Sequence, residues 1–253
     1  MATLSLKTIA KNRLGKTGPL SVNDDVFGYV YRNGGVFGPR AGDILPGTGL
    51  PTGRALGRHL EAISGKSIDL VLILVGYETD STVSAVSPDD LTKIQYAVQV
   101  MRDLYAQAPL GIRFLNWQRI SLADAEDYVD IEDHDEAEDL TDDWNGPNGG
   151  IDVFFVRTIG DADGWSHTPG SCDKDEKGEM TGTVVSLDDS KRYTGIVLGH
   201  EVGHYLGLQH ADAATKMMGV DSDGDGIGFV DSNSTLITPA EGNTMRGHCA
   251  VVD

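Results

Sequence analysis

The segment His200-Glu201-Val202-Gly203-His204-Tyr205-Leu206-Gly207-Leu208-Gln209-His210 constrains this chain more than any other stretch. It reads H-E-x-x-H-x-x-G-x-x-H. His200 and His204 stand four residues apart, so on an α-helix both imidazoles leave one face, one turn apart. Glu201 sits one position round from His200, near the same point but free to hold a water. Gly207 permits a backbone conformation that is costly for other residues, which ends the helix and lets the chain turn back. His210 can then return as a third nitrogen ligand. Three neutral imidazoles leave a fourth position open, which is the arrangement of a catalytic zinc site.

Charge and length bound the surroundings of this segment. The chain has 253 residues, 40% of them hydrophobic, enough for one sizeable core or two small ones. A formal charge of −19 speaks against nucleic acid and anionic membrane surfaces as partners, since both would repel it. No stretch approaches the ~18 apolar residues that span a bilayer, so no membrane insertion is expected. Met1–Gly18 has lysines but neither a continuous apolar core nor a small-residue cleavage site, and does not read as a signal peptide.

Along the chain, residues 1–65 are rich in Gly and Pro and read as an extension or pro-segment. Within them, Val26–Gly38 predicts a hairpin around an Asn-Gly turn. From residue 66 the pattern becomes α/β. Ile68–Val75 is an almost unbroken apolar run, as in a strand buried on both faces. Ser87-Pro88-Asp89-Asp90 opens a helix with the apolar stripe Ile94, Val98, Met101 and Tyr105. Ile112–Ile120, Ile151–Val156 and Thr183–Leu187 read as further strands. A helix carrying the histidines is expected over about 194–207, and a terminal helix over about 239–247 behind a capping box at Thr238 and Glu241. The twelve acids between Asp124 and Asp143, with no Lys or Arg among them, read as a solvated loop with weak calcium affinity at most.

Asp221-Ser222-Asp223-Gly224-Asp225-Gly226 matches the first half of a calcium-binding loop, so Asp221, Asp223 and Asp225 are candidate calcium ligands. Position twelve is Ser232, not the bidentate Glu of a complete EF-hand, and an unliganded polar turn stays open as the other reading.

At every fixed position the His200–His210 segment matches the extended zinc motif of the metzincin metallopeptidases, and residues 66–253 resemble their catalytic domain, matrixin-like or pappalysin-like. The resemblance implies an α/β (α+β) fold. Its twisted mixed sheet would have about four to five strands, with a backing helix, an active-site helix and a small C-terminal subdomain. It implies a zinc endopeptidase acting on proteins or peptides, with His200, His204 and His210 on the metal and Glu201 as general base. A methionine beneath the ligands is also implied; Met218 has the matrixin-like spacing, with Met217 and Met245 as alternatives. Val220 stands where some relatives carry a ligating Tyr. Gly42-Asp43-Ile44 weakly resembles an aspartate latency switch, although Arg40 stands where an aromatic is expected.

Cys172 and Cys249, the only cysteines, either pair, as staples of exported proteases do, or remain buried thiols. Pairing would close a long loop worth about 4 kcal/mol. The resemblance therefore implies a secreted monomer, although no leader is visible here. Thr183–Leu187 is expected to be the edge strand against which an extended substrate would pair. Two other readings remain at this level: a narrow-specificity effector or toxin, and a calcium-dependent binding module with a dormant zinc site.

Overall fold

The computed structural model describes residues 66–78, 85–146, 150–175, 178–187, 190–221 and 228–253. The expected hairpin at Val26–Gly38, Asp43, and two of the candidate calcium ligands, Asp223 and Asp225, lie outside them.

The apolar run near residue 70 becomes β1 (Ser67–Val75). Its neighbours are β2 (Gly111–Ile120) and β4 (Ile151–Val156), both parallel to it. A strand with parallel neighbours has both faces covered, which explains why the run does not alternate with polar residues. Ile68, Leu70, Leu72 and Leu74 enter one core, while Val71, Ile73 and Val75 enter a second core on the opposite face. Strand β4 divides likewise, with Val153 and Phe155 on the first side and Phe154 and Val156 on the second.

Helix α1 (Pro88–Tyr105) covers the first face. The hydroxyl of Ser87 accepts from Asp90 N at 3.3 Å, and Asp90 Oδ2 accepts from Ser87 N at 2.9 Å. The predicted stripe of Ile94, Val98, Met101 and Tyr105 is fully buried. It lies against α4 (Lys191–Tyr205), the helix that carries the histidines. At their crossing a side chain on Gly195 would run into Val100 and Ala97, and the Tyr105 hydroxyl donates to the Gly199 carbonyl at 2.9 Å. Helix α4 starts about one turn before the predicted position because Ser190 caps it, accepting from Tyr193 N at 3.4 Å.

Two expectations need correction. The acidic stretch is not a loop. It forms α2 (Leu122–Ala125), a 3-10 turn (Glu126–Val129), β3 (Asp130–Ile131) and α3 (His134–Trp144), and β3 pairs with β5 (Thr158–Ile159). Asp133 caps α3 by accepting from Glu136 N at 3.0 Å, and acids in a first turn favour a helix through its dipole. Ala137, Leu140 and Thr141, at helical spacing, bury that helix against the second core. The hydrophilic count concealed a narrow apolar stripe.

Nor is Thr183–Leu187 an edge. It forms most of β7 (Gly182–Ser186), which is parallel to β4 on one side and antiparallel to β6 (Gly164–Ser166) on the other. The sheet order is β2-β1-β4-β7-β6, a mixed five-stranded sheet whose outer strand beside the histidine helix is β6. A three-residue strand is too short to show a period in sequence.

Beyond α4 the chain runs through irregular backbone to α5 (Pro239–Gly247), which has the expected Thr238–Glu241 capping box. Cys172 and Cys249 are joined in a disulfide that spans 77 positions, and Val252 pairs with Ser67 at the start of β1. Among the described residues no helix is long and apolar enough to cross a membrane.

The Asp90 carboxylate also meets the Arg157 guanidinium at 3.2 Å. Burial pushes its pKa up, but the Ser87 hydrogen bonds and Arg157 outweigh this and leave it below the ordinary value. A depressed carboxyl pKa stabilises the fold above the unfolded value and loses that effect as pH falls through the folded one. Asp90→Asn should therefore cost about 1–2 kcal/mol in urea unfolding at neutral pH, with the gap to wild type narrowing below about pH 4. A gap independent of pH would contradict this account.

Candidate metal centre and cleft

Positions 193, 197, 200, 201 and 204 follow the i, i+4, i+7 spacing of one helical face. In α4 this face looks into a cleft of about 820 Å³. Past Tyr205 the helix stops; Gly207 adopts φ of +92°, as its position in the motif requires. The chain then reverses and brings His210 back. His204 Nε2 lies 3.0 Å from His200 Nε2 and 3.0 Å from His210 Nε2, and the three nitrogens lie within 4.8 Å of one another.

The opposite ring nitrogens decide what two of these three atoms are. His200 Nδ1 is 3.0 Å from the Met217 carbonyl oxygen, and His204 Nδ1 is 2.7 Å from that of Leu208. A carbonyl can only accept, so both Nδ1 atoms carry protons, and the neutral rings present bare lone pairs at Nε2. Burial holds both rings neutral, with pKa values lowered to about 4 for His200 and about 3 for His204. For His204 the neighbouring His200 and His210 add to the shift. Lone pairs facing one another at this distance repel unless a cation sits between them. This donor set, with carbonyls fixing the tautomers, fits zinc.

Met217 and Met218 are both buried beneath the helix. A Cβ placed on Gly203 would lie 2.8 Å from Met218 Sδ and 2.9 Å from Met217 Cε. Both therefore occupy the floor under the histidines, and Met217 also supplies the carbonyl that holds His200.

Glu201 is 5% exposed and lines the cleft. Burial, with the charge of Asp163 adding to it, pushes its pKa up to about 8. Its carboxyl makes no hydrogen bond within the described residues. Gly164, the first residue of β6, lies flat against it: an added Cβ would stand 2.6 Å from Glu201 Cγ and 2.8 Å from Oε1. The edge strand and the carboxylate are therefore in direct contact.

Asp163, Gly164 and Tyr193 are functional neighbours that the motif did not reveal. The Tyr193 hydroxyl lies 2.8 Å from Asp163 Oδ2 and 3.2 Å from the Val230 carbonyl, one on each wall of the cleft. Helical spacing from His200 was the available signal for Tyr193. For Asp163 and Gly164 there was none, because β6 reaches the site through tertiary pairing alone. Of the candidate calcium ligands, Asp221 lines the cleft.

A second group of ligand-type atoms, on Cys172, His248 and Cys249, comes together at the disulfide. His248 packs on the ring of Tyr205, and its Nε2 lies 3.1 Å from the Gly170 carbonyl oxygen. The Tyr205 hydroxyl donates to the Ser171 carbonyl. This cluster braces the end of α4.

No protein-family model and no curated protein matches the chain. Among solved structures it is similar to the archaemetzincin of Methanopyrus kandleri, with 14% identity and a TM-score of 0.46 over 72% of this chain and 94% of that one. It is also similar to metalloproteinase-II of Bacteroides fragilis, with 14% identity and a TM-score of 0.45 over 71% of this chain and 52% of that one. A chain in a chaperone–substrate complex matches at 16% identity and a TM-score of 0.42, covering 59% of this chain and 25% of that one. These likenesses are partial, and the chemistry of the site rests on its own geometry.

Proposed function

We propose that the protein is a zinc-dependent endopeptidase of metzincin type that hydrolyses peptide bonds in proteins or peptides. The observation that carries this reading is the convergence of three imidazole Nε2 atoms in an open cleft, beside a buried Glu201 that makes no hydrogen bond among the described residues. His200, His204 and His210 would hold the metal, which would supply Lewis acidity toward a scissile carbonyl.

The remaining chemistry belongs to the chain. Glu201 takes a proton from the attacking water and returns it to the departing amine nitrogen, so the carboxylate is regenerated in each turnover. Positive charge beside a carboxylate favours its ionised form, which offsets the burial that raises its pKa. Strand β6 offers its outer edge to an extended substrate backbone, the role first assigned to Thr183–Leu187. The disulfide supports an oxidising, extracellular setting, and the chain is read as acting alone.

Zinc-loaded protein should bind one ion per chain and cleave casein or a quenched peptide, with activity lost to a chelator. Glu201→Ala should keep its zinc and lose about 10²–10⁴-fold in kcat/KM. Full activity in that variant would end the proposal. A binding module with a dormant site would hold zinc and cleave nothing.

The contact between Gly164 and Glu201 gives a second check. Gly164→Ala should displace the carboxylate and lower kcat about 100-fold, as small misplacements of reacting groups do. Zinc content and melting temperature should stay close to wild type. Undiminished turnover would mean that the strand does not position the base.

A further inference from the structure

We propose that the cleft selects peptides with an arginine or lysine side chain close to the scissile bond, with the ring of Phe229 as its platform and the cleft carboxylates as its counter-charge. This rests on the peptidase reading above.

Phe229 is 69% exposed, the most of any large hydrophobic residue among those described, ahead of Leu236 at 47% and Leu122 at 36%. Unlike those two, it lines the cleft. A ring this open leaves apolar surface in water, and a binding site is where such surface is useful. Its backbone is fixed: Val220 N donates to the Phe229 carbonyl at 3.1 Å, and Phe229 N donates to the Val220 carbonyl at 2.9 Å. Gly228, the residue before it, lies against the His210 ring. The platform therefore directly follows a residue that touches a candidate metal ligand, and it lines the same cleft.

The charged side chains around it, apart from the base, have one sign. Asp161, Asp163 and Asp221 line the cleft, and no Lys or Arg does so among the described residues. Asp161 and Asp163 form no salt bridge among the described residues, so their charge is turned to the cleft. A cleft lined by one charge concentrates the opposite charge. Of the natural side chains, arginine meets both demands best, because its guanidinium stacks on aromatic faces and pairs with carboxylates. Lysine meets them less completely. A purely apolar side chain would use the ring but not the acids, and an acidic one would be repelled.

Cleavage profiling with a proteome-derived peptide library should reveal enrichment of Arg, then Lys, at one position within two residues of the cut. Replacing that Arg by citrulline, which keeps the shape and removes the charge, should lower kcat/KM about tenfold. Phe229→Ala should lower cleavage of the Arg peptide about tenfold and of the citrulline peptide much less. Asp161→Asn should narrow the Arg/citrulline gap, as should raised salt. Equal rates for Arg and citrulline peptides, or enrichment of acidic residues, would overturn the proposal.

If zinc-loaded protein cleaved no library member, the peptidase reading would fail separately. Calorimetric binding of an Arg/citrulline pair of decapeptides to zinc-loaded protein would then decide the cleft preference. Tighter binding of the Arg member, lost in Phe229→Ala, would support it, and equal binding would refute it.

Discussion

Three imidazole nitrogens turned toward one point make a configuration that no isolated peptide would adopt. The rings are crowded together, and those of His200 and His204 are buried. The rest of the molecule supplies the restraint. Met217 and Leu208 fix the outer nitrogens through their carbonyls. Gly207 turns the chain so that His210 can return. The two-sided sheet holds α4 still, because β1 and β4 bury residues in both cores and α1 locks against the helix on one of them. The cores thus supply the rigidity that holds this polar cluster in place beside one of them.

What could be read from the sequence divides along physical lines. The histidine helix, the doubly buried β1 and the capped α1 and α5 are local patterns, written in residues that lie close together along the chain. Periodicity and capping chemistry suffice for them. In the acidic stretch, charge hides the helical spacing of Ala137, Leu140 and Thr141. Strand β6 leaves no signal, because three residues carry no period, and its interior neighbour β7 looks like an edge in sequence. The walls of the cleft depend on β6 and on the backbone pairing of Val220 with Phe229, both products of long-range folding. The gathering of the three histidines was therefore legible, and the shape of the cleft around them was not.

Asp152 shows how far the scaffold extends from the site. It interrupts an apolar strand and is fully buried; burial raises its pKa while Lys174 at 2.7 Å and the Gly146 amide work against that rise. The ion pair fastens the 170–175 segment to the middle of the sheet. That segment also holds Cys172 and packs on Tyr205, so the C-terminal end of α4 is braced from beneath by a buried charge and from outside by a disulfide. Removing Lys174 alone would leave the carboxylate stranded, the costly way to break such a pair.

The position of β6 has a consequence for how the molecule fails. A three-residue strand with one neighbour is the least anchored part of the sheet, and its best tether beyond that ladder is the contact between Asp163 and the Tyr193 hydroxyl. Amide protons there exchange through small local openings, while those of β1 and β4 wait for global unfolding. On warming, this wall of the cleft loosens while the histidine cluster, set over the core, stays assembled. Such a molecule loses the shape of its cleft well before it loses its fold, and recovers it on cooling.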